Sequence, residues 1–294
     1  MKIFDCFMYF DEETVLELRL NILNKYVDYF VIVESSFTHR GEARKLRFDI
    51  EKFTKFKDKI IYLIYDKEPT NIEKITNNDQ DADTKYTFNA SKRENGQRNF
   101  IFNGLNIADD NDIILISDVD EIPNLENLNF ELINQKIILF RQEMFYYKFN
   151  LKLPDFIWTG TKACKKKYLK SPQWLRNIKD RKYPFFRFDI LFSPTKFTNI
   201  KIINNGGWHF TNLKSAEEIE YKLKSYLHHR EFDNDPISSF QINEIMKNKI
   251  AIYDLTLDKR IQKIGHGKKL VNYPLEKLPK FLRDNLNIYQ KWMD

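Results

Sequence analysis

Asp118 and Asp120 stand one residue apart at the end of the apolar run Ile113-Ile114-Leu115-Ile116, and Glu121 and Pro123 follow at once. A short run of this kind suits a strand buried on both faces of a sheet. The strand period of two puts both carboxylates on one side, and where the strand frays they can converge on one cation. Asp112, Asp118, Asp120 and Glu121 crowd four negative charges into ten residues of a chain whose formal net charge is +6. Like charges at that spacing cost free energy unless a cation or solvent relieves them. The pair therefore reads as a clamp for a metal-bound diphosphate, against the plain alternative of an acidic turn. An EF-hand does not fit. Counting from Asp118, Ile122 falls at position 5, Pro123 where glycine is required and Asn129 where the bidentate glutamate belongs.

The flanking pattern says what must position these carboxylates. Residues 3–10 read as a first strand, with Asp11 as a helix cap and Glu12 and Glu13 in the first turn, where negative charge suits the helix dipole. Val15, Leu18, Ile22, Leu23 and Tyr26 follow at helical spacing, and 27–33 is the next apolar run, so a strand–helix–strand crossover is expected. Residues 60–65 give a further strand, 71–90 a polar loop, 93–107 a helix and 136–149 an aromatic strand or hairpin. Between 151 and 207 four prolines predict short strands and long loops. A helix capped by Ser215 is expected to about 229, and another over 278–292. Strands alternating with helices make the class α/β, with the ligand crevice at a topological switch. The expected organisation is a nucleotide-binding core over 1–214 and a helical C-terminal region over 215–294 that packs on it. Neither Gly-x-Gly-x-x-Gly nor a P-loop occurs, so a bound diphosphate would need a cation.

Composition narrows the classes further. At 42% hydrophobic and 31% charged residues the chain can bury a sizeable core, and no apolar stretch approaches the roughly 20 residues that span a bilayer. With no signal-peptide pattern at its start, the expected compartment is the cytoplasm. Cys6 and Cys164 are too few for a disulfide framework and lack metal-site spacing. Asn89-Ala90-Ser91 then reads as a chance tripeptide, not a glycosylation site. Lys162, Lys165, Lys166, Lys167 and Lys170 form a basic cluster, read first as a solvated face and second as a site of peripheral membrane association. No nucleic-acid-binding motif is present, and no nucleic-acid partner is expected.

Taken in order, Phe4-Asp5-Cys6-Phe7, Leu16-Glu17-Leu18-Arg19-Leu20, Tyr29-Phe30-Val31-Ile32-Val33-Glu34-Ser35, Gln97-Arg98-Asn99, Ser117-Asp118-Val119-Asp120-Glu121-Ile122-Pro123 and Gly206-Gly207-Trp208-His209-Phe210 resemble glycosyltransferase family 17. The resemblance implies a glycosyltransferase-A fold, a Rossmann-like mixed sheet flanked by helices. It also implies a nucleotide-sugar donor, UDP-GlcNAc, and inversion at the anomeric carbon. The animal enzyme of the family carries a membrane anchor that this chain does not show, so a surface glycan or glycolipid acceptor is expected in place of a protein N-glycan. In this reading Asp120 coordinates Mn²⁺ or Mg²⁺, Asp118 binds the cation through water or holds the ribose, and His209 supplies a third ligand. Gly206 and Gly207 would let the backbone approach the ligand. Glu34 would accept hydrogen bonds from ribose hydroxyls, and Arg98 would meet the diphosphate or pair with the acidic cluster. The general base is assigned to Glu231, with Asp189 as the second candidate. Trp158 and Trp208 are candidates for stacking on sugar faces. The competing readings are a metal-dependent sugar nucleotidyltransferase and a non-catalytic carbohydrate-binding module.

Overall fold

Strand β1 (Ile3–Tyr9), helix α1 (Glu13–Leu23) and strand β2 (Tyr29–Ser35) open the chain, and β1 runs parallel to β2 with Phe4 opposite Tyr29. The description is of a computed structural model and covers residues 1–76, 81–181, 183, 190, 192–226, 229–253, 255 and 264–294. Both strands are apolar on both faces because both faces are covered. Phe7, Phe30 and Ile32 pack under Leu16, Leu20 and Leu23 of α1, while Phe4, Cys6, Val31 and Val33 meet Ile101 and Leu105 on the far side. Strand β3 (Ile60–Tyr65) continues the parallel ladder beside β2. Helix α2 (Ala82–Phe100) then leads into β4 (Ile113–Asp118), which pairs parallel with β1 on its other edge.

The rest of the sheet is mixed. Strand β5 (Glu121–Pro123) follows β4 directly, then come β6 (Ile137–Tyr146), β7 (Leu151–Lys165), helix α3 (Pro172–Asn177), β8 (Ile200–Ile203) and β9 (Gly207–Thr211). Helices α4 (Ala216–Ser225), α5 (His229–Asn234) and α6 (Ser239–Lys247), strand β10 (Val271–Asn272) and helix α7 (Lys280–Asp284) complete the described α-helices and β-strands. The strand order is β3-β2-β1-β4-β7-β6-β9-β5, with β8 beside β6 and β10 beside β7. From β1 the chain builds outward through β2 and β3, then returns to place β4 on the opposite edge. That reversal opens a crevice beyond the carboxyl ends of β1 and β4, where open α/β sheets hold ligands.

Residues beyond 214 share cores with the sheet. Ile219 and Leu223 of α4 and Ile242 of α6 pack with Met144, Tyr146 and Leu151, and Leu278, Leu282 and Tyr289 join the cluster beneath α1. Ser215 caps α4 in a full capping box with Glu218, as its position before the apolar pattern predicts. No described helix is long and apolar enough to cross a membrane.

Four local expectations are corrected. Helix α2 begins at Ala82, inside the stretch expected to be a loop, because its buried positions are Asn89, Ala90, Arg93, Gln97 and Arg98, and an inward face that polar shows no hydrophobic period. Strand β7 runs 15 residues through Pro154, which falls where the β6–β7 register shifts between Glu143 and Phe145 and no regular ladder bond is lost. Glu12, not Asp11, takes the α1 cap position, and Asp11 pairs with Lys214 instead. The final helix stops at Asp284, because Asn285 leaves the helical region and its Nδ2 donates to the Phe281 carbonyl.

Candidate active site

Strand β4 ends on Asp118, and the chain turns through Val119 and Asp120 into β5. A turn this acidic is held by buried cations. Arg19, wholly buried on α1, donates Nη1 to the carbonyls of Asp118 (3.1 Å), Val119 (3.1 Å) and Glu121 (2.8 Å). Its Nε and Nη2 grip Asp5 at 2.8 and 2.6 Å, so the charge is compensated where it lies. Glu121, also wholly buried, accepts from the Asp118 N–H (2.9 Å), Arg176 Nη1 (2.7 Å) and Trp158 Nε1 (2.6 Å). Strand β9 closes the turn: Glu121 pairs with His209 in register, and the Phe210 N–H donates to the Asp120 carbonyl at 2.9 Å. Gly207 makes this possible. At φ +132° a Cβ there would lie 2.1 Å from the Ile122 carbonyl oxygen, so the close approach is to β5 and not, as expected, to a ligand.

A cavity of about 220 Å³ lies beyond the carboxyl ends of β1, β2 and β4, bounded by Tyr9, Phe37, Asp118, Asp120, His209, and Lys222 of α4. Asp118 accepts from Arg98 Nη2 and Arg176 Nη2, each at 3.0 Å, one on each oxygen. Burial pushes its carboxyl upward, but the two guanidiniums outweigh that and hold it well below the usual carboxylate range. Asp120 meets His209 Nε2 at 3.3 Å. Burial opposes the charged form of both partners, yet each stabilises the other: the Asp120 carboxyl is lowered and the His209 imidazole raised. The Nδ1 of His209 is buried without a hydrogen-bond partner, and the Trp158 ring packs 5.5 Å from the imidazole.

The family model of glycosyltransferase family 17 matches residues 1–292, all but the last two positions. The chain belongs to glycosyltransferase family 17. No curated protein matches the sequence.

In this family 17 chain the expected site residues separate into those that meet at the cavity and those that do not. Asp118, Asp120 and His209 line it together, but their side chains do not converge on one point. Among the described residues no three His, Cys, Asp or Glu side chains form a metal-holding group. Asp118 has a guanidinium on each oxygen, which competes with a cation for it; Asp120 and His209 offer one oxygen–nitrogen pair beside open space. Arg98 reaches the wall, but its Nη2 is engaged by Glu94 (2.8 Å) and Asp118, and its Nη1 by Gln173. The ion-pair alternative for Arg98 is the one seen. Glu34 does not face a ribose. It is wholly buried and accepts from Arg44 Nη2 (2.8 Å), the N–H groups of Arg47 (2.7 Å) and Phe48 (3.0 Å) and the Tyr62 hydroxyl (2.9 Å), fastening the segment after β2.

Glu231 lies on α5 with its side chain outside the described residues, and Asp189 lies outside them altogether. Trp158 stands beside His209, whereas Trp208 is core and donates Nε1 to the Lys277 carbonyl at 3.2 Å. Lys162 is not part of a solvated face. Its amine is buried, donates to the carbonyls of Arg176 and Ile178, and burial together with nearby Arg176 pushes its pKa down to about 7.

Arg19, Arg176 and Lys222 went unrecognised in the sequence. Arg19 carried a signal: a charge among Leu16, Leu18, Leu20 and Leu23 implies a buried partner. Arg176 and Lys222 carried none, since both sit in short helices where a basic residue is ordinary.

Proposed function

We propose that this family 17 glycosyltransferase is a metal-dependent, inverting enzyme of glycosyltransferase-A architecture that moves GlcNAc from UDP-GlcNAc to a glycan or glycolipid acceptor in the cytoplasm. The observation that carries this reading is the Asp120–His209 pair on a cavity at the β1/β4 switch point, the position at which such sheets bind nucleotides. Asp120 and His209 would hold the divalent cation, an oxygen–nitrogen pair that suits Mn²⁺ better than the oxygen-preferring Mg²⁺, with donor oxygens completing the shell. Such a cation, when bound, supplies Lewis-acid stabilisation of the departing diphosphate.

The chemistry asked of the chain is then simple. The acceptor hydroxyl oxygen bonds to the anomeric carbon as the bond from that carbon to the donor phosphate breaks, and the electron pair leaves with the nucleoside diphosphate. The hydroxyl proton passes to a carboxylate. Glu231 is assigned that role because α5 follows α4, which contributes Lys222 and Ser225 to the cavity wall; Asp189 is the second candidate. Asp118, fixed by two guanidiniums, would hold the turn so that Asp120 keeps its place.

The test is a panel of UDP-, GDP- and CMP-sugars with and without Mn²⁺, read by thermal shift and by nucleotide release. A ligand selective for the folded state raises its apparent stability. Mn²⁺-dependent release of UDP from UDP-GlcNAc is the expected result. Pyrophosphate release from a nucleoside triphosphate and a sugar phosphate would replace the reading with a nucleotidyltransferase, and carbohydrate binding without turnover would replace it with a binding module. Glu231→Gln is expected to keep donor binding and lose turnover; if Asp189→Asn does so instead, the base is Asp189.

A further inference from the structure

The basic groups lining the cavity are engaged to very different degrees. Arg44 donates to the Ser35 carbonyl and to Glu34, both at 2.8 Å. Arg98 is taken up by Glu94, Asp118 and Gln173. Desolvation lowers the pKa of the partly buried His39, and its Nε2 meets Gln97 Oε1 at 3.1 Å. Pulling Arg44 toward a ligand would strand the buried Glu34, and pulling Arg98 away would break its contacts with Glu94, Asp118 and Gln173. Lys222 is different. Its ion-pair partner is Glu12 Oε1 at 3.8 Å, beyond hydrogen-bond reach, and its side chain keeps 23% of its surface exposed.

The backbones of both partners are held beside the cavity. Ile219 and Leu223 anchor α4 in the core and so fix the helix that carries Lys222 along the cavity. Glu12 Oε2 accepts from the N–H groups of Phe10 (3.3 Å) and Asp11 (3.1 Å). Burial works against the charge on Lys222, but Glu12, Asp120, Asp11 and Asp118 outweigh it and keep the ammonium protonated. The result is a positioned cation with three donors and no close acceptor among the described residues, facing the cavity that holds Asp120 and His209.

We propose that Lys222 binds the donor's diphosphate and takes up the charge that arrives there as the sugar leaves, making the C-terminal helix α4 part of the donor site. This rests on the nucleotide-sugar reading above. Lys222 is then a catalytic residue, since it touches the leaving group into which the electron pair of the broken bond passes.

Binding measurements test this without relying on turnover. The nucleoside diphosphate that the wild type prefers, UDP or GDP, and its parent nucleoside are titrated calorimetrically in Mn²⁺ buffer against wild type, Lys222→Met, Lys222→Gln and Glu12→Gln. Removing a charge-assisted contact should weaken diphosphate binding about tenfold or more in both Lys222 variants, with nucleoside affinity within about twofold of wild type. Lys222→Gln retains a hydrogen-bonding group for Glu12, so it keeps the test valid if Lys222→Met does not fold. Glu12→Gln removes a competing carboxylate and should leave diphosphate affinity unchanged or raised. Wild-type diphosphate affinity in Lys222→Gln overturns the inference, as does a loss in Glu12→Gln equal to that in the Lys222 variants, which would make the pair structural. A wild-type protein that binds the nucleosides but neither diphosphate any better, or binds none of these ligands, brings down the donor reading itself.

Discussion

Around Asp118 the donors and acceptors are closely matched, whereas around Asp120 the pairings are long and few. Asp118 has a guanidinium on each oxygen at 3.0 Å, its carbonyl lies on Arg19, and its N–H is held by Glu121. Two residues on, Asp120 meets His209 at 3.3 Å, and the nearby Glu12–Lys222 pair stands 3.8 Å apart. Both walls are acidic, and Asp118, its side chain 37% exposed, is the more open of the two against 11% for Asp120, so the difference lies in compensation and not in burial. Charges that are closely paired within the protein hold the turn in place and are less available to a ligand. Charges that are loosely paired and open to a cavity cost stability and keep their capacity for one. The Asp-x-Asp is thus two residues with two duties.

This contrast can be broken or sharpened by substitution. Arg19→Met should have the largest effect, about 3–5 kcal/mol of stability in urea denaturation, because it strands the wholly buried Asp5 and frees three turn carbonyls. A cost under about 1 kcal/mol would mean that the turn does not depend on it. Asp120→Asn should leave the melting temperature near wild type while lowering kcat about a hundredfold, equivalent to roughly 3 kcal/mol of transition-state stabilisation. Asp118→Asn should do the reverse in kind, costing about 1–3 kcal/mol of stability by weakening two charge-assisted bonds. Equal loss of turnover in both aspartate variants, with no loss of stability in either, would erase the distinction between the walls.

The pH dependence follows from the same pairing. Since the folded Asp118 carboxyl is held well below its unfolded value, the unfolded chain binds more protons as the pH falls below about 4, and stability is lost from there downward. Asp118→Asn should flatten that acid limb in urea midpoints measured across pH. Lys162 acts at the other end of the pH range. Its folded pKa of about 7 lies below the unfolded value, so the unfolded chain binds more protons above neutrality and stability should rise as the pH increases toward about 10. Lys162→Met should remove that rise; an unchanged slope would show that the amine is not desolvated.

Elements were legible where a short stretch of chain carries its own pattern. The Ile113–Asp118 strand announces itself by an unbroken apolar run, the Ile60–Tyr65 strand likewise, and the α4 start by Ser215 with Glu218 three residues on. Helix α2 was half hidden, because periodicity reports the face toward apolar core, and this helix turns Arg93, Gln97 and Arg98 inward toward polar partners. The site followed the same division. That Asp118, Asp120 and His209 would share a site could be read from residue types and family resemblance, and they do line one cavity. Which oxygen meets which nitrogen could not be read. Arg19 reaches the Asp118 carbonyl across 99 residues, Arg176 reaches the Asp118 carboxylate across 58, and Glu34 is enclosed by a segment 10 to 14 residues further on and by Tyr62. Hydrophobic period and capping are local properties of consecutive residues, so the sequence by itself determined the strands, the helix start and the presence of an acidic turn. Whether a buried charge is paired or available depends on distances in space, and those exist only once the sheet has brought β4, β9, α1 and α3 together.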